Sequence, residues 1–349
     1  MVSCSSIVLS QKQDTWQQVA IRHHCEALRS LTLEMSEGSM SASAVVESSL
    51  AVIMMLHMFE RFDSSSKPRT CAHLLAAQAI FLEACSTELI KTSLGALLLE
   101  AFVYRISINS VFHLELVKGY DSMGALTRLL MSSPTMKRGE TAPFRRSLWL
   151  GLPPDVYGSL YKVSCLLRMT PLDSKQRNEG IRLSQQLRDL ELDEPLDGES
   201  DQDDSAGIHQ LAARVRHLHL AAAQLILWKI LYQDIKASDG RVQQLLHKTM
   251  ARLSPFQGPA PHVTTVMICP LAILGTAAVQ PRDREFLKFQ LNSLRSMAGV
   301  QELDSVLSFW DDVWSEIAET VAGGDAAPDI EPPQLDVWFD ESRLRRVIL

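Results

Sequence analysis

The sequence has few of the residue patterns that announce chemistry. Its six cysteines, Cys4, Cys25, Cys71, Cys85, Cys165 and Cys269, include no C-x-x-C pair and no other spacing that gathers thiolates round a metal. In a chain of 349 residues they read as reduced, mostly buried thiols of an intracellular protein. Neither a disulfide framework nor a metal site is expected. No G-x-S-x-G elbow, Gly-rich phosphate loop or H-E-x-x-H pair occurs, so the local signatures of serine hydrolases, nucleotide binders and zinc peptidases are missing. Catalytic, cofactor-binding and metal-binding residues are therefore assigned to none.

Positive charge is also scarce. The 34 Lys and Arg are outnumbered by 41 Asp and Glu, for a formal net charge of -7, and no stretch clusters its cations. Phosphate contacts need such clusters, so this chain alone is not expected to read DNA sequence. A membrane span is not expected either. "VTTVMICPLAILGTAAV" (263–279) is uncharged for 17 residues but is broken by Pro270 and falls short of the ~20 residues a span requires. It reads as buried core. "MVSCSSIVLSQKQDTW" lacks the basic region and the apolar length of a signal peptide.

Alternation of period two is absent as well, and what remains is the helical period, which predicts an all-α, multi-helix fold. Segments 16–35, 42–62, 68–90 and 94–116 all carry it, and 42–62 is apolar almost all round, as a central helix must be. After a loop at 132–144, Pro153-Pro154 and Asp155 open a helix over 146–168. Nine of the residues from Asp189 to Asp204 are acidic, which predicts a solvated loop over 189–207. Helices over 208–235 and 241–253 follow. The expected organisation is a helical extension at 1–39, a regulatory-size domain at 40–322, and an extended Pro/Gly-rich tail at 323–349.

Residues 283–314, "DREFLKFQLNSLRSMAGVQELDSVLSFWDDVW", pose the sharpest chemical question. Asp311 and Asp312, adjacent on an aromatic-rich helix, resemble the magnesium-binding face of an all-helical terpenoid-type enzyme. The periodicity answers otherwise. Leu287, Leu291, Leu294 and Ala298 form one stripe that ends at Gly299, a residue suited to a C-cap. Leu303, Val306, Leu307, Trp310, Val313, Trp314, Ile317 and Val321 form a second stripe. Glu302, Asp304, Asp311, Asp312, Glu316 and Glu319 fall on the opposite face. No third acid sits at metal-ligand spacing, so the aspartates are expected to face water.

Other candidates weaken on geometry. His23, His24 and Cys25 point about 100° apart on a helix, and His217 and His219 also fall on different faces. Both groups read as ordinary surface or partly buried side chains. The Met-rich "VIMMLHMF" (52–59) reads as core more readily than as a ligand pocket. Leu190, Leu192 and Leu196 interleave with the acids of 189–204, the pattern of an activation segment or of an inert loop. Three arginines in "RLRRVIL" (343–349) are a weak import signal.

The order of the segments carries more. "CAHLLAAQAIF" (71–81), "EAFVYRISINSVF" (100–112), "SLWLGLPPDVYGSLYKVSCLL" (147–167), "PLAILGTAAVQPRDREFLKFQL" (270–291) and "LDSVLSFWDDVW" (303–314) occur in a succession that resembles the fungal-specific transcription factor domain. The resemblance spans roughly residues 40–320 and is most specific at Arg282-Asp283-Arg284 and at the helix of Trp310 and Trp314. Two departures stand out: no binuclear zinc cluster with its basic linker is found, and position 267 holds Met where many members carry Trp.

The resemblance implies a non-enzymatic nuclear regulator of transcription without cofactors. It would work through a DNA-binding factor or coactivator; the resemblance leaves open a homo- or heterodimer and a small-molecule ligand in a pocket among the central helices. It further implies control of a biosynthetic, secondary-metabolite gene cluster. The competing readings are a terpenoid-type enzyme and a helical scaffold without transcriptional role.

Overall fold

The computed structural model describes residues 42–62, 70–83, 92–117, 120–132, 154–192, 205–253, 265–295, 300–322 and 334–347, with scattered positions between 18 and 33. Among these residues every regular element is helical, so the all-α expectation holds. The helices are α1 (Ala42–Phe62), α2 (Thr70–Glu83), α3 (Ser93–Phe112), α4 (Tyr120–Ser132), α5 (Pro154–Arg168) and α6 (Ser174–Leu192). They continue as α7 (Ser205–Leu231), α8 (Gly240–Arg252), α9 (Ile268–Gly275), α10 (Pro281–Ser293), α11 (Val300–Ala322) and the single turn α12 (Glu341–Leu344). The expected helix over 16–35 and the loop over 132–144 lie largely outside the described residues, as do 193–204.

Helix α3 is the axis of the bundle. Thr92 caps it, its Oγ1 accepting the Gly95 N–H at 2.8 Å. Every residue from Phe102 to Phe112 is buried, polar ones included. Its length and apolarity would suit a membrane span, but all of it beyond the first two turns packs within the bundle. The buried hydroxyls close on the helix itself: Ser107 donates to the Val103 carbonyl and Ser110 to that of Ser107. Burial without amphipathicity follows from packing against α1, α2, α4 and α5 at once. Helix α7 forms the second axis and carries α5, α6, α8 and α9.

Two helices were not expected. In α4 the interior Gly124 weakens the local signal. In α6 a polar sequence hides the thin stripe of Leu183, Leu187 and Leu190. That helix lies so close to α7 that a Cβ at Gly180 would stand 2.9 Å from Leu231 Cδ2. It also runs to Leu192, into the segment read as acidic loop.

The C-terminal tail is a correction. Gln334–Phe339 forms a 3-10 helix and α12 follows, with Leu335, Val337, Trp338, Leu344 and Val347 buried. Its apolar side chains outweigh the Pro and Gly that suggested an extended chain. Helix α10 also stops earlier than expected, because Leu294 and Arg295 N–H groups turn back to the carbonyls of Leu291 and Asn292. Ala298 and Gly299 lie outside the described residues.

Candidate functional site at the C-terminal clasp

The short helix α9 is buried along its whole length, which bears out the core reading of 263–279 for the residues described. A buried helix end must find partners for its last carbonyls. Here indoles supply them. Trp310 Nε1 donates to the Ala272 carbonyl and Trp314 Nε1 to that of Gly275, both at 3.0 Å. The two rings stack with centroids 5.3 Å apart. Trp338, from the tail, donates to Thr276 Oγ1 at 3.2 Å and packs beside Phe112 and Phe309. Gly275 permits this approach, since a Cβ there would lie 2.1 Å from Trp310.

The tail is thus a clasp, and polar contacts hold it at both ends. Buried Lys229, near the C-terminal end of α7, pairs with Asp336 at 2.6 Å. Its ammonium also donates to the carbonyls of Gln233 and Ile235, in the turn just past the end of that helix. At the far end Arg346 pairs with Asp312 at 3.0 Å, and His113 Nε2 meets the Val347 carbonyl at 3.1 Å. Arg345 reaches Glu341 at 2.6 Å and stands 3.8 Å from Glu115.

Asp311 and Asp312 are exposed, as expected, and each makes a surface ion pair: Asp311 with Lys288 at 2.8 Å and Asp312 with Arg346. Among the described residues no further carboxylate converges on them. Asp304 is likewise exposed and pairs with Arg295. Glu302 corrects the expectation, for it is buried at the start of α11. Glu316 and Glu319 lie outside the residues whose side chains are described.

The two histidines of 217–219 are more buried than expected but do diverge. His219 Nε2 meets the Val266 carbonyl at 3.0 Å, and its ring packs edge-on against Tyr157. His217 accepts from Arg252 at Nδ1 (3.0 Å) and faces Thr249 Oγ1 and, at 3.5 Å, Glu191. Burial lowers both imidazoles to about 4, with the Arg252 charge adding to the effect at His217, so each is neutral near pH 7. His23 pairs with Glu26 at 2.9 Å and Cys25 is exposed. His24 lies outside the described residues. In the Met-rich segment Met54 is core, while Met58 offers its sulfur to buried Arg105.

Burial raises the thiol of Cys165 to about 12 and that of Cys269 further still, leaving both unreactive. Cys71 differs. Its sulfur joins His113 Nδ1 or Nε2 and a Glu115 oxygen in a group whose ligand atoms all lie within 4.8 Å of one another. Sequence spacing missed this convergence because 42 residues separate Cys71 from His113. The only local signal was the His-x-Glu of "FHLEL".

Two neighbouring hollows lie at the cis Thr170–Pro171 turn, one of them against the clasp. One, of about 410 Å³, lies between the cis Thr170–Pro171 turn, Arg168 and the tail residues Asp336, Trp338 and Phe339. The other, of about 610 Å³, lies beyond Pro171 and Gln233, beside Tyr232, Arg177 and Arg241. They share Pro171 and Gln233, and Tyr232 and Phe339 stand exposed at their edges. Both open at the surface, and the first alone is lined by residues of the clasp.

The model of the fungal specific transcription factor domain matches residues 1–325, which is nearly the whole chain and includes both tryptophans of α11. No curated protein and no solved structure matches. The clasp at 334–347 lies beyond the matched segment. The chain belongs to the fungal-specific transcription factor domain family.

Proposed function

We propose that this chain regulates transcription in the nucleus through protein contacts, and that DNA is read by a partner. The observation that carries the reading is the family match over residues 1–325. The net charge of -7 and the absence of a basic cluster in the sequence favour protein over DNA as the direct contact. In this reading a DNA-binding factor or coactivator, or a second helical domain of the same kind, covers an apolar helix face. The joined hollows at Pro171 have the size of sites for small molecules. A metabolite bound there, against the clasp, would couple ligand to regulation. The genes controlled are proposed to be a biosynthetic, secondary-metabolite cluster, as the family resemblance implies.

The terpenoid-enzyme alternative loses its ligand set, since Asp311 and Asp312 are turned outward into separate ion pairs. A scaffold without transcriptional role is separated by experiment. Fused to a heterologous DNA-binding domain, the chain is expected to change reporter transcript several-fold, and a scaffold would leave it unchanged. The purified chain should give no sequence-selective footprint on duplex DNA at physiological salt. A footprint would refute the partner reading.

A further inference from the structure

We propose that Cys71, His113 and Glu115 bind one thiophilic divalent cation, zinc in chemical class, at the point where the C-terminal clasp meets the bundle. The three come from different elements: the first turn of α2, the C-cap of α3 and the 3-10 turn Leu114–Leu116 that follows it. Their ligand atoms already lie within 4.8 Å of one another. Tetrahedral zinc with S, N and O ligands sets those atoms roughly 3.3–3.8 Å apart, so closure needs side-chain rotations of about 1 Å. Cys71 is half-buried and the Glu115 side chain is 36% exposed, which leaves both room to rotate and an ion a way in.

The arrangement of His113 is what marks the cluster as built. Its Nε2 meets the Val347 carbonyl at 3.1 Å, and a carbonyl there accepts an N–H, which fixes the tautomer. Nδ1 is then the lone-pair nitrogen, and it faces Glu115 Oε1 at 4.0 Å. A backbone carbonyl holding the far N–H is the customary support of a metal-bound imidazole.

Glu115 adds a second mark. Its Oε2 is buried without a hydrogen-bond partner among the described residues, and Arg345 Nε approaches only to 3.8 Å. A carboxylate oxygen left in that position gains a partner if the side chain turns onto a cation.

The donor set decides the class of ion. A thiolate and an imidazole disfavour calcium and magnesium, which take oxygen ligands, and suit zinc. Three protein ligands leave a fourth position for water. Because Val347 supports His113 from the tail, an ion at this site would fasten residues 334–347 to α2 and α3.

The test uses the full chain, stripped with chelator and titrated with Co2+ and then Zn2+. One equivalent of Co2+ should produce the intense visible bands of a tetrahedral site and a thiolate-to-cobalt band in the near ultraviolet, both erased by one equivalent of Zn2+. Cys71→Ser should abolish the thiolate band and Glu115→Gln should weaken binding at least tenfold, while Cys25→Ser should change neither. Hydrogen exchange in residues 334–347 should slow when zinc is added. Should His113→Gln fail to fold, the partly exposed Glu115→Gln variant keeps the comparison. A folded chain that shows no thiolate–cobalt band, or a band that survives Cys71→Ser, would overturn the assignment.

Discussion

Replacing Gly275 with alanine should unseat Trp310. The added methyl would stand 2.1 Å from Trp310 Nε1 and Cε2 and 2.6 Å from Cζ2, well inside contact distance. The indole cannot slide along its own plane without losing the 3.0 Å bond to the Ala272 carbonyl. Tilting away drives it into Trp314, stacked at 5.3 Å, whose own N–H is bonded to Gly275. Overpacking of a tight core costs about 1–3 kcal/mol, and a lost buried hydrogen bond adds about 1 kcal/mol. The sum is roughly 2–4 kcal/mol, which lowers Tm by roughly 3–5 °C in a chain of this size. Thermal melts followed by far-UV circular dichroism give the loss, and tryptophan emission gives its location. Phe at 310 in the Gly275→Ala background should recover at least about 0.5 kcal/mol, since the smaller ring makes room for the methyl. Wild-type melting with unaltered emission in Gly275→Ala would refute the packing described for α9 and α11.

Trp310→Ala should cost about 3–5 kcal/mol, whereas Asp311→Asn with Asp312→Asn should cost less than about 1 kcal/mol, since both ion pairs are exposed; melts with and without Mg2+ check both. Lys229→Met should cost about 1–3 kcal/mol by leaving the Gln233 and Ile235 carbonyls without a donor, read from urea unfolding midpoints. Acid should destabilise the fold in a defined window. His217 and His219 have folded values of about 4 against 6.5 unfolded, so below 6.5 the unfolded chain binds the extra protons. Their stabilisation is complete above that value and drains away as pH falls to about 4, up to about 3 kcal/mol for each. His219→Gln should flatten the pH dependence of urea midpoints over that range, and an unchanged slope would contradict the burial of the neutral ring.

Local pattern made much of this fold legible. Helix α1 has the expected bounds, and the stripe of Leu303, Val306, Trp310, Val313 and Trp314 is buried while Asp311 and Asp312 are not. Those features depend on residues three or four apart. What stayed hidden depends on distant partners. Trp338 sits in a sequence rich in Pro and Asp, and the segment's place in the fold depends on contacts with distant Thr276, Phe112 and Phe309. Glu302 looks like part of a polar face until the first turn of α11 is placed against its neighbours. The grouping of Cys71 with His113 and Glu115 crosses from α2 to the end of α3, a distance no spacing rule covers. Gly180 and Gly124 lowered the helical signal of α6 and α4, and at Gly180 the structure supplies the reason: Leu231 occupies the space a side chain would need.

If the chain acts on transcription, nascent-transcript sequencing within minutes of its degron-induced depletion will register its loss. A prompt, several-fold change in a restricted set of transcripts is expected, restored when the chain returns. Unchanged nascent transcripts after complete depletion would contradict a role in transcription.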